Sequence, residues 1–208
     1  MLGLVTTMTT TTTTTTTTSP MCVPFWSMPS TDQGTYLTYP NANTLISGYL
    51  SRSVCATFRA SAANVDNIIF AIGSSFSTAT GGCNEHFALS VINASYVTVY
   101  GMCGPYDNSY IYTGQNTLYD GYFHQICVTY DNSDVQLCIY LDSSPPQCLI
   151  RTNPHYNTSL GDVRIGWWPD LNRNFTATGG GLIKWVSLFD KAINQSCVAY
   201  QYQNNFSG

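Results

Sequence analysis

The chain has 208 residues, 44% of them hydrophobic and only 9% charged, where a soluble domain usually carries about 25% charged residues. That is enough apolar material for one sizeable core, with Ser, Thr, Asn, Gln and Tyr wetting the surface in place of charge. Seven basic residues against eleven acidic ones give a net charge of -4, which offers phosphate backbones no electrostatic attraction and argues against nucleic-acid binding.

Met1 to Val5 is too short an apolar run for a signal peptide. No run approaches the roughly 18 residues of a spanning helix, so no membrane insertion is expected. Ten consecutive threonines follow, Thr9, Thr10, Thr11, Thr12, Thr13, Thr14, Thr15, Thr16, Thr17 and Thr18. They bury nothing and offer a dense row of hydroxyls, so a mucin-like O-glycosylated tract is predicted over 1–20. A Pro-rich irregular linker is predicted over 21–34, and the folded domain over 35–208.

Within that domain, short segments rich in β-branched and aromatic residues alternate with Gly, Pro, Asn and Ser clusters. They predict strands at Tyr36–Tyr39, Val54–Arg59, Asn67–Ile72, Phe87–Ile92, Tyr96–Tyr100, Phe123–Tyr130, Val135–Leu141, Cys148–Ile150, Val163–Trp167 and Leu182–Phe189. Only Gln195–Gln203 reads as a helix. The clearest unit is FHQICVTYDNSDVQLCIYLD. Phe123, Gln125, Cys127 and Thr129 fall on one face and His124, Ile126, Val128 and Tyr130 on the other. Asp131 to Asp134 forms the turn that joins the two strands.

Eight cysteines, an even set without CxxC spacing, point to disulfides and an oxidising compartment rather than to a zinc site. Sequence alone does not fix the connectivity. Cys138 and Cys148 are symmetric about Ser143, Cys83 and Cys103 about Asn93, and Cys22 and Cys197 lie toward the two ends of the chain. Those three pairs leave Cys55 with Cys127. Five N-glycosylation sequons, at Asn93, Asn157, Asn174, Asn194 and Asn205, join the cysteines in predicting an extracellular or cell-surface setting.

Catalytic chemistry is poorly supplied. Sugar hydrolysis on a β-sandwich needs two carboxylates on either side of the scissile bond, and the chain has the single glutamate Glu85 and aspartates scattered through loops. There is no G-x-S-x-G, and His86, His124 and His155 lack a partner pattern. A structural role is predicted for His124, which shares a strand face with Ile126 and Val128. Aromatic residues beside amides and acids are better represented. Trp168 and Asp170 follow a strand, and Tyr106, Tyr110 and Tyr112 lie in a polar stretch with Tyr119 and Tyr122. Planar rings next to hydrogen-bonding groups suit a sugar, so these five, Trp168, Asp170, Tyr106, Tyr110 and Tyr112, are the predicted ligand contacts.

From Tyr36 to Tyr202 the chain resembles the laminin G-like and pentraxin-like group of concanavalin-type jelly rolls. FHQICVTY and IYLDS correspond to its W-H-x-[VI]-x-V-T-[YW] and L-Y-V-D-G strands, VRIG to its I-x-[IL]-G strand, and Gly181 to Phe189 to its Gly-x-[IV] strand. Val54-Cys55-Ala56-Thr57-Phe58 is similar to the pentraxin V-C-x-x-F strand. The resemblance implies an all-β antiparallel jelly-roll sandwich with one short C-terminal helix, and a disulfide between Cys55 and Cys127. It also implies a possible calcium site, since Asn84, Glu85 and Asp170 fall at ligand-like positions; Trp168 and Pro169 replace neighbouring ligands of the two-ion arrangement. Calcium aside, no cofactor is expected. Together these features predict a non-catalytic recognition or adhesion module for a glycan or glycoprotein. A structural subunit that self-associates into an extracellular coat or filament is the alternative.

Overall fold

In a computed structural model, the residues described are 22–29, 37–41, 44–60, 67–73, 86–92, 96–101, 109–112, 118–142, 144–150, 155–168, 173–174 and 181–206. The strands are β1 (Trp26–Pro29), β2 (Leu37–Tyr39), β3 (Arg52–Arg59), β4 (Asn67–Gly73), β5 (Phe87–Ile92), β6 (Tyr96–Tyr100), β7 (Ser109–Tyr112), β8 (His124–Asp131), β9 (Gln136–Leu141), β10 (Gln147–Ile150), β11 (Asp162–Ile165), β12 (Trp167–Trp168), β13 (Arg173–Asn174) and β14 (Leu182–Phe189), followed by helix α1 (Gln195–Phe206). Two six-stranded sheets, in the orders β1-β14-β3-β8-β9-β10 and β2-β11-β4-β5-β6-β7, make the jelly-roll sandwich, with β12 and β13 as a separate ribbon. All of the pairings are antiparallel.

Period-2 alternation decides what each sheet buries. From the first sheet Val54, Ala56, Phe58, Ile126, Val128, Tyr130, Leu137, Ile139, Val186 and Leu188 point inward. They meet Phe87, Leu89, Val91, Val97, Val99, Val163 and Ile165 from the second, all essentially inaccessible. The opposite face of the first sheet carries Cys55, Cys127, Cys138 and Tyr140, and α1 covers it with Cys197 and Val198. The faces of the Phe123–Tyr130 segment are therefore those the sequence predicts. Its turn is held by Asp131, whose Oδ1 accepts from the Ser133 amide at 2.9 Å and the Ser133 hydroxyl at 2.6 Å. Those bonds, the Ser133 hydroxyl foremost, hold the Asp131 carboxyl below its ordinary range.

Cys55–Cys127 and Cys138–Cys148 are disulfides, each joining register partners on adjacent strands. The expected Cys22–Cys197 bond is not formed in this structure. The two are buried thiols, adjacent and hydrogen-bonded, and burial together with Cys22 raises the Cys197 thiol far above its ordinary value. Cys83, Cys103, the threonine tract and Asn93 lie outside the described residues.

The sheet also reaches further toward the N-terminus than the predicted linker allows, since residues 26–29 pair with β14 as an edge strand. Proline is tolerated there because an edge position need not donate to a ladder. At the other end of the chain, Asn194 caps α1 by accepting the Cys197 amide on Oδ1 at 3.0 Å. Asn194 is exposed, and its Nδ2, the atom a sugar would take, is not the atom used in the cap. Asn194→Ala is expected to lower stability by about 1 kcal/mol. Ser196→Ala, which removes only the sequon, should leave the unglycosylated protein unchanged; equal urea midpoints for all three proteins would contradict the cap.

Candidate functional site

Two ends of the sandwich can be told apart by side-chain contacts. At one end Arg52 of β3 lies 5.7 Å from the Phe87 ring of β5 and 5.9 Å from the Tyr130 ring of β8, so both sheets have these termini at the same end. There Arg52 donates to the Gly48 and Leu50 carbonyls at 2.6 and 2.7 Å and to the Thr158 hydroxyl. Desolvation lowers its pKa to about 10. Tyr156 packs edge-on against Phe87 at 5.3 Å and Tyr130 at 5.0 Å, and His155 Nδ1 lies 2.7 Å from Asn132 Oδ1. This end is a braced structural plug, and it accounts for His155 without catalysis.

The opposite end, marked by His124, gathers the termini Arg59, Leu141 and Leu182 in the first sheet and Asn67, Ile92, Tyr96 and Tyr112 in the second. The ribbon β12–β13 pairs Trp167 with Asn174 and Trp168 with Arg173 and packs against β4. It leaves β11 at Gly166, whose φ of +80° favours glycine and whose amide donates to the Ile69 carbonyl at 2.9 Å. The predicted strand Val163–Trp167 is thus two elements broken at that glycine.

The outer face of the second sheet runs up to this end. Ile68, Ala71, Ala88 and Tyr100 form its apolar floor. Ser90 and Thr98 face each other across β5 and β6, and Tyr110 stands opposite Thr98, as Tyr112 does opposite Tyr96. Ser90 Oγ and Thr98 Oγ1 are buried and have no hydrogen-bond partner. A buried hydroxyl without a partner costs roughly 1–3 kcal/mol, and such groups in a native protein usually meet a water or a ligand. Arg164, also on this face, is taken up by Asp162 at 2.9 Å and the Gly73 carbonyl at 3.3 Å.

Of the predicted ligand residues, the structure therefore brings Trp168, Tyr110 and Tyr112 to one sheet and its ribbon. Tyr106 and Asp170 lie outside the described residues, as do the proposed calcium ligands Asn84 and Glu85. Among the described residues no cluster of His, Cys, Asp and Glu is arranged to hold a metal, and no helix is long and apolar enough to cross a membrane. Asn157 and Asn194 are exposed; Asn174 sits in β13 and Asn205 in α1.

Three further groups escaped the sequence. Ser90 and Thr98 have no signal beyond their place in alternating strands. At the start of β8, His124 Nδ1 lies 3.0 Å from Asp142 Oδ2 and its Nε2 lies 3.1 Å from Asp120 Oδ1. The Asp142 bond, with help from Asp120 and against partial burial, raises the His124 pKa above 6.5. The Asp120 carboxyl is pushed up by desolvation, but the Tyr122 amide and His124 outweigh that and leave it below 3.8.

No family model matches the chain, and no curated protein matches it. Solved structures do. The chain is similar to the CBM40 module of the Ruminococcus gnavus IT-sialidase bound to α2,3-sialyllactose, with a TM-score of 0.66 at 10% identity over 86% of this chain and 98% of that one. It is similar to part of a leech intramolecular trans-sialidase, with a TM-score of 0.62 at 12% identity over 84% of this chain and 27% of that one. A heptameric SAP-like pentraxin from Limulus polyphemus gives 0.56 at 14% identity over 83% and 80%. At these identities the likeness shows a shared fold, the jelly-roll sandwich that the sequence predicts.

Proposed function

We propose that this chain is a non-catalytic glycan-recognition module, working outside the cell or at its surface. The observation that carries it is the aromatic-rich end of the second sheet, where the Trp167–Trp168 ribbon packs against β4 and Tyr110 and Tyr112 fall in the edge strand β7. Aromatic residues gathered in polar segments are what a sugar site uses for stacking and hydrogen bonding. The CBM40 structures, whose fold the chain shares, hold sialyllactose, which supports a sugar as the ligand class. The disulfides and sequons support the extracellular setting, in which the threonine tract would act as an O-glycosylated stalk.

Trp168→Ala and Tyr112→Ala are each expected to weaken binding of an array-selected glycan by about tenfold, the equivalent of about 1.4 kcal/mol, with no change in melting temperature. Titration calorimetry checks this, and unchanged affinity in both would move the site elsewhere.

Self-association is the second reading, and one observation favours it. Leu45, Tyr49, Leu50 and Leu160 are each more than half exposed and adjoin the Gly48–Thr158 bridge at the Arg52 end. An apolar patch of this kind suits a protein contact, and it lies away from the glycan-facing end.

A further inference from the structure

Tyr122 is the most exposed large hydrophobic residue described, at 73%, yet the backbone around it is fixed from several directions. Its own amide donates to Asp120 Oδ1 at 2.8 Å. The next residue, Phe123, has its ring covered by Arg59 at 5.3 Å and Lys184 at 5.8 Å. The residue after that, His124, is held by Asp120 on one side and Asp142 on the other. Asp142 is itself anchored, since its Oδ1 accepts the Gln125 amide at 2.8 Å. An exposed ring on a braced backbone has little backbone freedom left to lose on binding, so only its side-chain rotamers have to be fixed.

We propose that Tyr122 is a contact residue of the glycan site and that the Asp120–His124–Asp142 clamp is the pH-sensitive latch that positions it; this rests on the glycan reading above. Tyr122 stands at the same end as Tyr96, Tyr112 and the Trp167–Trp168 ribbon. The clamp faces both ring nitrogens of His124 toward carboxylates, and only the imidazolium has two N–H donors to satisfy both. The groups around the imidazole are Asp120 from the preceding turn, Asp142 from the end of β9 and the Phe58 ring of β3 at 6.3 Å. Arg59 and Lys184 are the nearby cations, and both are stacked on Phe123. The folded His124 pKa lies above the ordinary 6.5, so the clamp contributes in full below pH 6.5 and is lost as pH rises through the raised folded value. His124 is thus a positioning residue, and Tyr122 is the one that touches the ligand.

The test is a glycan array read at pH 6 and pH 9 with the labelled full chain, Tyr122→Ala and His124→Gln, each checked for an unchanged fold by near-UV circular dichroism at both values. The expected result is wild-type signal at pH 6 that falls several-fold at pH 9. Tyr122→Ala should lose on the order of tenfold at pH 6, and His124→Gln should be weak and independent of pH. Wild-type binding equal at both values, or Tyr122→Ala binding like wild type, would overturn the inference and leave the glycan reading standing. No signal from any of the three proteins at either pH would overturn the glycan reading, and the placement of Tyr122 in a site would fall with it.

Discussion

Replacing Cys55 and Cys127 together by alanine is expected to lower the free energy of unfolding by about 4 kcal/mol and the melting temperature by about 10 °C. The two cysteines are 72 residues apart in sequence, so their bond closes a long loop and removes much of the freedom of the unfolded chain. They are also buried between the first sheet and α1, so the substitution removes packed sulfur as well as the crosslink. Cys138–Cys148 offers an internal comparison. It spans only 10 residues on the edge strand β10, where Cys148 is exposed, and its loss should cost clearly less. Urea unfolding under non-reducing conditions checks both, and a double variant within about 1 kcal/mol of wild type would contradict the account.

The second large effect is at Arg52, whose replacement by alanine is expected to cost about 3–5 kcal/mol. The guanidinium is wholly buried, and burial disfavours the charged form, which is why its pKa falls to about 10. What offsets that penalty is the fork of donors to Gly48 O, Leu50 O and Thr158 together with the two flanking rings. Removing the side chain leaves the buried Thr158 hydroxyl without its partner, breaks the bonds to the part-buried Gly48 and Leu50 carbonyls and leaves a void between Phe87 and Tyr130. Arg52→Lys keeps the charge but loses the fork, so it should fall between alanine and wild type. Wild-type stability in Arg52→Ala would mean that the segment 44–50 is held by other contacts.

Most of the sandwich is legible in the sequence because its central strands alternate cleanly, as His124 to Asp131 and Gln136 to Leu141 show. The helix begins at Gln195 as the pattern predicts, since Asn194 is a strong N-cap, and it runs three residues past the predicted end. Legibility fails where alternation does. Trp26–Pro29 carries a proline and reads as irregular, yet an edge strand accepts it. Ser109–Tyr112 is only four residues long within a polar stretch, and its strand character comes from pairing with β6. In β4 a bulge between Ile68 and Phe70 turns both Ile69 and Phe70 into the core, which no period-2 pattern anticipates.

The candidate site is less legible than the fold for a related reason. Tyr110, Tyr112 and Trp168 can be singled out as aromatic residues near polar ones, but the sheet that holds the two tyrosines and the ribbon that packs Trp168's strand against it depend on which strands become neighbours. His124 looks like an ordinary strand histidine because Asp142, its second partner, arrives from the end of β9. Ser90 and Thr98 are unremarkable in sequence and matter only because alternation places them on the outer face with nothing to bond. In each case the information lies in strand pairing between distant segments, which local composition does not carry.

The most direct measurement is a glycan array on the glycosylated full chain, with light scattering on the same sample. The account predicts a species that binds a defined set of sugars without cleaving them and whose binding is weakened about tenfold in Trp168→Ala. Large assemblies with no sugar bound would contradict it and make self-association through the Leu45, Tyr49, Leu50 and Leu160 patch the leading explanation.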